Sequence, residues 1–304
     1  MFTTMQYAII FLSMVIILIS FAACAEGDRN LYGSAEMSES LRVMSFNIRF
    51  DNPNDGPDAW PHRKDFVAGM FRFHKNDIVG IQEGLISQVR DLEELLPEYG
   101  WVGIGRDDGR EGGEFCAIYY KTDRFDLIED GTFWLSETPD IPGSMGWDTA
   151  ITRIATWARL YDKKNSRRFI VFNTHYDHRG EEARRKSSEL ILQKVAELSE
   201  GDPVIVMGDL NTVESQDPYK ILTDPALGPV RVELFDGFYH SRYGHHGPTT
   251  TWNGFREIIP ERRIDYIFVN PKFSVIQHGI LADIRDGHFP SDHLPVVADI
   301  EFNK

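Results

Sequence analysis

The feature that most constrains the fold is a series of short β-type runs, several of which are apolar at almost every position. Residues 169–172 and 204–207 carry only large apolar side chains, so both faces of each predicted strand must be covered. Runs of this type recur at residues 41–50, 78–82, 101–105, 115–120, 154–161, 169–175, 204–207, 264–269, 275–281 and 296–302. So many strands predict large sheets.

Helix-type stretches lie between the predicted strands and can cover the sheets. The clearest is residues 181–200, and Gly201 after it is a stop signal. Its apolar face contains Ile191, Val195 and Leu198. Shorter helices are predicted at residues 64–73 and 87–96. Two central sheets with helices on their outer faces would bury the apolar runs, so we expect an α/β fold of that kind.

The N-terminal segment predicts export. The first 25 residues carry no charged side chain, and residues 7–23 form an apolar run interrupted only by Ser13 and Ser20. The run ends in two alanines before Cys24, which is similar to the cleavage and lipidation site of bacterial lipoproteins. Simple cleavage near Ala25 and an uncleaved anchor are the alternatives. All three predict a body outside the cytoplasm, held at the membrane through Cys24 or an anchor, or else secreted or periplasmic.

The domain organisation that follows is simple. We assign residues 1–25 to a signal peptide or lipoprotein signal, 26–40 to a polar linker and 41–304 to one folded domain, since no second linker is visible. Cys24 and Cys116 are the only cysteines, so no disulfide framework is expected. Cys116 stands in an apolar run and is predicted to be a buried structural thiol.

Polar residues suited to catalysis stand at the ends of the predicted strands. They are Asn47, Glu83, His175, Asp209 with Asn211, and Asp292 with His293. In layered sheets the strand ends open into crevices, and the loops there carry function. Each residue alone has an ordinary explanation, because Asp and Asn start turns and an isolated histidine is usually a satisfied core or surface residue. Their repetition at strand ends predicts one shared site.

The residue types favour a hard divalent cation at that site. Oxygen ligands are offered by Asn47, Glu83, Asp209 and Asp292, and no set of thiolates accompanies them. Such ligands suit Mg²⁺ or Mn²⁺. Zinc is less suited, because no pair of histidines has the spacing that binds one ion from a helix.

The formal net charge of -15 argues against a dedicated nucleic-acid groove. The sequence also lacks the long basic stripe with interleaved aromatic residues that such grooves use. One aromatic and basic segment, residues 60–64, could reach a substrate. The alternative for this segment is a helix start, with Pro61 in the first turn.

The polar motifs also occur in a definite order along residues 41–302. They are Ser45-Phe46-Asn47, Gln82-Glu83, Asn173-Thr174-His175, Gly208-Asp209-Leu210-Asn211, Arg263-Ile264-Asp265 and Ser291-Asp292-His293. This ordered set resembles the endonuclease/exonuclease/phosphatase superfamily, which includes pancreatic-type deoxyribonucleases, abasic-site endonucleases, neutral sphingomyelinases and inositol polyphosphate 5-phosphatases. The resemblance implies an α/β fold, a four-layered αββα sandwich with two central mixed β-sheets, in agreement with the strand pattern.

The resemblance further implies how the metal and the attacking water are held. Asn47 and Glu83 match metal-site residues, and Asp292 would join them through water. Asp209 would orient or deprotonate the attacking water, while Asn211 would hold a phosphoryl oxygen.

It also implies two histidines with carboxylate partners. Asp265 would fix the ring of His293, and together they would bind the phosphate. His175 would face the leaving group, with Glu114 as its carboxylate partner. Arg153 resembles a phosphate-binding arginine, and a structural ion pair is the alternative for it.

These residues together predict a Mg²⁺- or Mn²⁺-dependent hydrolase of phosphate esters, in which an activated water attacks in line. The favoured substrate is a small-molecule or lipid phosphomonoester or phosphodiester at the cell envelope. The alternative is an exported endonuclease or exonuclease acting on DNA or RNA. A non-catalytic binding module would show a broken metal or histidine set, and here the set is intact. We expect the protein to act as a monomer.

Overall fold

The computed structural model describes residues 40–304. The predicted signal segment, nearly all of the predicted linker and Cys24 lie outside the described residues, so export and lipidation stay predictions. Within residues 40–304, no helix has both the length and the apolar character needed to cross a bilayer.

The described residues form two mixed β-sheets. The strands β1 to β13 are Leu41–Asn47, Ile78–Gln82, Tyr99–Val102, Ile118–Lys121, Phe125–Trp134, Ile154–Asp162, Arg167–His175, Val204–Asp209, Phe235–Asp236, His245–His246, Asp265–Val269, Phe273–Ile280 and Val296–Phe302. The first sheet has the order β10-β12-β13-β1-β2-β4-β3, and the second has the order β5-β6-β7-β8-β11-β9. The pairs β1/β2 and β7/β8 are parallel, whereas β13 and β11 run antiparallel beside them.

Helices lie between the strands in the chain. The α-helices α1 to α5 are Trp60–Phe73, Ile86–Leu95, Glu181–Leu198, Asp217–Thr223 and Gly237–His240, and a 3-10 helix covers Pro53–Asp58. The α1 helix starts earlier than the predicted 64–73, because Pro61 fits its first turn. The predicted helix at 181–200 is confirmed as α3, and the one at 87–96 is α2.

Successive side chains of a strand point to opposite faces of its sheet, and this divides the core into layers. In β8, Ile205 and Met207 pack between the two sheets, while Val204 and Val206 pack outward with apolar residues of α3. In β1, Val43 likewise points between the sheets and Met44 points toward α1. The sheets are therefore covered on both faces, and the predicted αββα sandwich is confirmed.

The same topology brings the ends of strands from both sheets to one edge. The parallel register sets Asn47 opposite Gln82 in the first sheet and His175 opposite Asp209 in the second. The antiparallel β11 begins at Asp265, which also lies opposite Asp209. Polar side chains that are far apart in sequence therefore share one location.

Candidate active site

Asn47 joins the two sheets at this edge. Its Nδ2 donates to Glu83 Oε1 at 3.0 Å and to Asp209 Oδ2 at 3.0 Å. Asn47 and Asp209 are buried, and Glu83 is half-buried. Two carboxylates from different sheets therefore converge on one point, which is where a cation would be attracted.

Glu83 leaves the end of β2 through a left-handed backbone conformation, with φ of 64°. Its Oε2 accepts a hydrogen bond from Phe50 N at 3.2 Å and lies 4.0 Å from Arg49 Nη1. Burial raises the pKa of Glu83, but the charge of His293, the hydrogen bond from Asn47 and the charge of Arg49 outweigh it, so the net pKa is below its ordinary value. Glu83 is therefore a carboxylate at neutral pH.

The donor set fits a divalent cation. Among residues 40–304, ligand atoms of Glu83, Asp209 and His293 lie within 4.8 Å of one another. The predicted ligand Asn47 turns its nitrogen toward the carboxylates and its Oδ1 accepts from Arg49 N at 3.0 Å. Asp292 lies to one side, with its Oδ2 4.0 Å from Arg49 Nε. The structure thus places Asp209 beside Glu83 at the predicted metal site, with His293 next to them.

Asp209 is the centre of the polar site. Its Oδ1 accepts from Asn211 N at 2.9 Å, and its Oδ2 lies 3.3 Å from His175 Nε2 and 3.8 Å from His293 Nε2. Burial and the nearby Asp265 carboxylate raise the pKa of Asp209 to about 7. A group with such a pKa can exchange a proton near neutral pH.

His293 is held as predicted by Asp265. Its Nδ1 lies 2.9 Å from Asp265 Oδ2, and Thr251 Oγ1 in turn accepts from Asp265 N at 3.2 Å. Burial lowers the pKa of His293, but Asp265 and Asp209 outweigh it and hold the pKa well above its ordinary value. An imidazolium donates hydrogen bonds and cannot ligate a cation. The carboxylates of Glu83 and Asp209 are therefore the stronger metal ligands, and His293 fits phosphate binding.

His175, unlike His293, is held in its neutral form. Its Nε2 lies 3.0 Å from Asn211 Nδ2, and its buried Nδ1 has no partner among the described residues. Burial and the charges of Arg153 and Arg106 hold the pKa of His175 well below its ordinary value, so the ring is neutral.

The predicted pairing of Glu114 with His175 is wrong in this structure. Glu114 Oε2 accepts instead from Arg106 Nη1 at 2.5 Å. A guanidinium attracts a carboxylate more strongly than a neutral imidazole does, which explains the change of partner. Burial and the charge of Glu83 raise the pKa of Glu114, while Arg106 opposes them.

Arg153 is a buried guanidinium with unused donors. Its Nη2 lies 3.3 Å from His178 Nδ1 and its Nε lies 4.0 Å from Asp177, but Nε and Nη1 donate no hydrogen bond to any described residue. Arg153 lines a small pocket with Arg106, Glu83 and His175, among others. Buried donors of this kind favour the anion-binding alternative over the structural ion pair.

Several site residues were not found from the sequence. Arg49 lies between Glu83 and Asp292, and it follows the Asn47 motif by two positions with φ of 56°. Arg106 pairs with Glu114 from a loop of mixed charge. Proximity to the Asn47 motif is a signal that could have found Arg49, whereas the sequence around Arg106 has no such signal.

Comparisons with known proteins agree with this geometry. Residues 44–293 match the model of the Endonuclease/Exonuclease/phosphatase family. An endonuclease/exonuclease/phosphatase structure from Bacteroides vulgatus superimposes with a TM-score of 0.81, at 39% identity, covering 87% of this chain and 99% of that chain. A mannosyl-6-phosphatase of Bacteroides thetaiotaomicron gives a TM-score of 0.79 at 38% identity, covering 86% of this chain and 100% of that chain.

Two more distant relatives are longer proteins. The CCR4-Not complex 3'-5'-exoribonuclease subunit Ccr4 of Mycosarcoma maydis is 24% identical over 91% of this chain and 52% of its own length. An Acanthamoeba polyphaga mimivirus protein is 23% identical over 87% of this chain and 47% of its own length. The chain thus spans about half the length of these curated relatives. With the family match, the sandwich and the strand-end residues in agreement, the chain belongs to the endonuclease/exonuclease/phosphatase family.

Proposed function

We propose that this phosphoesterase is a Mg²⁺- or Mn²⁺-dependent hydrolase that cleaves small phosphate esters. The observation that carries the proposal is the convergence of Glu83 and Asp209 on Asn47 beside two histidines, one charged and one neutral. A bound divalent ion would be held by Glu83 and Asp209 and would neutralise charge on the phosphoryl oxygens.

Water supplies the nucleophile in the proposed reaction. Asp209, whose Oδ2 lies 3.3 Å from His175 Nε2 and 3.8 Å from His293 Nε2, accepts the proton of the attacking water. The new P–O bond forms as the bond to the leaving alcohol breaks, and the leaving oxygen takes up a proton. His293 and Asn211 donate hydrogen bonds to the phosphoryl oxygens.

His175 is assigned to the leaving-group side. Arg153 and Arg106 help to keep its ring neutral in the free protein, where Arg153 has unused donors. A bound phosphate offsets those two positive charges, which raises the pKa of His175 and lets the ring carry the proton that the leaving oxygen needs.

A sugar phosphate or a similar small ester is the favoured substrate. The likeness to the mannosyl-6-phosphatase, at 38% identity, supports a monoester. The net charge of -15 further favours a small substrate over a long polyanion. The competing proposal is a nuclease, which the more distant likeness to an exoribonuclease subunit supports.

A substrate panel tests both proposals. The full chain is assayed with Mg²⁺ or Mn²⁺ on mannose 6-phosphate, inositol phosphates, chromogenic mono- and bis-esters, sphingomyelin, RNA and plasmid DNA. We expect hydrolysis of a small monoester that stops with a chelator and returns with the metal. Glu83→Gln should lose that activity, while Glu111→Gln, at an exposed site, should retain it. Full activity in the chelator contradicts the metal mechanism, and preferential RNA or DNA cleavage supports the nuclease.

A further inference from the structure

Arg63, in the segment 60–64 whose role the sequence left open, is buried beneath the active site rather than directed at a substrate. It lies in the first turn of α1 and is 3% exposed. Its guanidinium donates to main-chain carbonyl oxygens, from Nε to Asp58 at 2.8 Å, from Nη2 to Arg49 at 2.7 Å, and from Nη1 to Pro290 at 3.2 Å and to Ile48.

Three of these carbonyl groups belong to the segments that carry the active site. Ile48 and Arg49 follow Asn47 directly, at the metal-binding end of β1. Pro290 stands two positions before Asp292, in the segment that leads to the second histidine. One planar guanidinium therefore spans the two sides of the site.

The surroundings of Arg63 hold the group in place. The rings of Trp60 and Phe255 lie 5.2 Å and 5.5 Å from the guanidinium carbon. Phe255 belongs to the loop in which Asn253 N donates to Asp292 O at 2.8 Å. A lysine ammonium is a point charge and cannot reach all four carbonyl groups at once, whereas the planar fork of arginine can.

The charge of Arg63 also suits the site. Burial lowers the pKa of Arg63 to about 10, against the attraction of Asp292 and Asp55. The guanidinium therefore stays charged at neutral pH, next to a site that contains several carboxylates.

We propose that Arg63 is a positioning residue, which sets the spacing between the metal-binding end of β1 and the phosphate-binding segment before β13. The proposal rests on the proposed function, since that spacing acts through metal and phosphate binding. Displacements of about 1 Å in a catalytic site can cost about 10²-fold in rate.

Arg63→Lys, compared with Arg159→Lys, tests this role. Arg159 is also buried, and it donates to Asp202 at 2.9 Å and to Leu198 O at 2.7 Å. It lies near the start of β8, at the end opposite to Asp209. It is therefore a matched control for the loss of a buried arginine away from the site.

Three quantities are measured for each variant: the free energy of unfolding in urea, the Mn²⁺ dissociation constant by calorimetry, and kcat and KM on the best small ester. We expect both variants to be less stable. Only Arg63→Lys should lower kcat, by about 10²-fold, and weaken Mn²⁺ binding by about tenfold, with little change in KM. Wild-type kcat and Mn²⁺ affinity in Arg63→Lys, or equal losses in both variants, would overturn the proposal.

Mn²⁺ calorimetry needs no substrate, so it separates this proposal from the proposed function. A wild-type chain that hydrolyses none of the esters refutes the proposed function, and the ratio of Mn²⁺ affinities still decides the role of Arg63. If Arg63→Lys does not fold, Arg63→Ala is refolded with methylguanidinium in the vacated space. Recovery of Mn²⁺ binding then supports the proposal, and recovery of folding without Mn²⁺ binding overturns it.

Discussion

At the scale of single residues, neighbouring carboxylates and cations give the two active-site histidines different protonation states. His293 touches Asp265 at 2.9 Å and is an imidazolium, because the pull of the carboxylates exceeds the cost of burial. His175 faces the side of Arg106 and Arg153 and is neutral. In the proposed reaction, the charged ring binds the phosphate, and the neutral ring gains a proton once the phosphate is bound.

The first prediction concerns His293. His293→Ala should lower kcat by at least about 10²-fold, because a positioned charged donor to the phosphate is lost. Steady-state kinetics on the best ester, with circular dichroism to check the fold, measure the effect. His246→Ala removes an exposed imidazole and should leave kcat unchanged. Near-normal turnover in His293→Ala would show that the reaction takes place at another site.

A second histidine pair lies outside the active site. His278 is 2% exposed, and its Nδ1 lies 2.9 Å from His245 Nδ1. His245 Nε2 donates to Pro248 O at 2.6 Å, and burial lowers the pKa of His245, so this ring is neutral and its Nδ1 accepts from His278. Burial, with the repulsion between two protonated rings and the charge of Arg263, lowers the pKa of His278 to about 3.

This pair predicts a loss of stability in acid. The folded pKa of His278 lies below its unfolded value of about 6.5, so its contribution is present above that pH and is lost as pH falls toward 3. His278→Leu removes this titration. The difference in free energy of unfolding between wild type and His278→Leu should therefore change by about 2 kcal/mol in favour of the variant between pH 7.5 and 5. Urea unfolding at both values measures it, and a constant difference contradicts the assignment.

At the scale of elements, buried amides fix one sheet against the other beneath the active site. Asn173 in β7 accepts from Gln82 Nε2 of β2 at 2.7 Å and donates to Ile81 O at 2.8 Å and Ala117 O at 2.9 Å. Gly80 makes room, since a Cβ there would lie 2.8 Å from Asn173 Cγ. These hydrogen bonds form a bridge between the strands that lead to Glu83 and His175. The bridge therefore fixes the positions of these two side chains relative to each other.

Asn173→Ala should destabilise the protein by about 3 kcal/mol, because several buried polar groups of the opposite sheet lose their partner. Chemical denaturation measures the change in the free energy of unfolding. Thr132→Ala, which removes a hydrogen bond of 3.1 Å near the sheet edge, is the control and should cost about 1 kcal/mol or less. Equal losses in the free energy of unfolding of the two variants would show that the Asn173 bridge has no special role.

Elements with a strong sequence pattern were predicted well, and the exposed ones were not. Ile78–Gln82 and Val296–Phe302 have the predicted bounds, because buried strands must be apolar. The strand Phe125–Trp134 was missed, since it lies at the edge of its sheet with a mostly exposed middle and an irregular register after Leu127. Such a strand can tolerate polar residues at many positions, so no alternation marks it.

In the active site, too, some residues could be predicted from the sequence and others could not. Residues at strand ends could be predicted because topology alone brings them together, as for Asn47 and Asp209. The partner of Glu114 depends on which basic side chain comes within hydrogen-bonding distance. It is Arg106, from the same loop, whose Nη1 lies 2.5 Å from Glu114 Oε2. Local loop geometry of this type has no periodic signal in the sequence.

At the scale of the whole molecule, the acidic charge bears on the two candidate substrate classes, whereas the sandwich is compatible with both. The net charge of -15 produces a field that repels a long polyanion. The cations that the site does offer, Arg153 and Arg106, lie in one small pocket beside His175. For the proposed small ester, two neighbouring cations would offset the charge of its single phosphate group.

The last prediction is a salt dependence that follows from this distribution of charge. A protein that tracks DNA or RNA displaces counterions with many Lys and Arg side chains, so its affinity falls steeply with salt. A small ester that meets only the local charges of the site has no such requirement. With saturating metal, KM for the best small ester should change by less than about twofold between about 50 and 200 mM NaCl, since only screened local interactions respond. A competition assay with duplex DNA, RNA and the ester at matched phosphate concentration completes the test. Preferential cleavage of the nucleic acid with a steep salt slope would reverse the substrate assignment, because the acidic surface would then be masked locally by the metal and the two arginines.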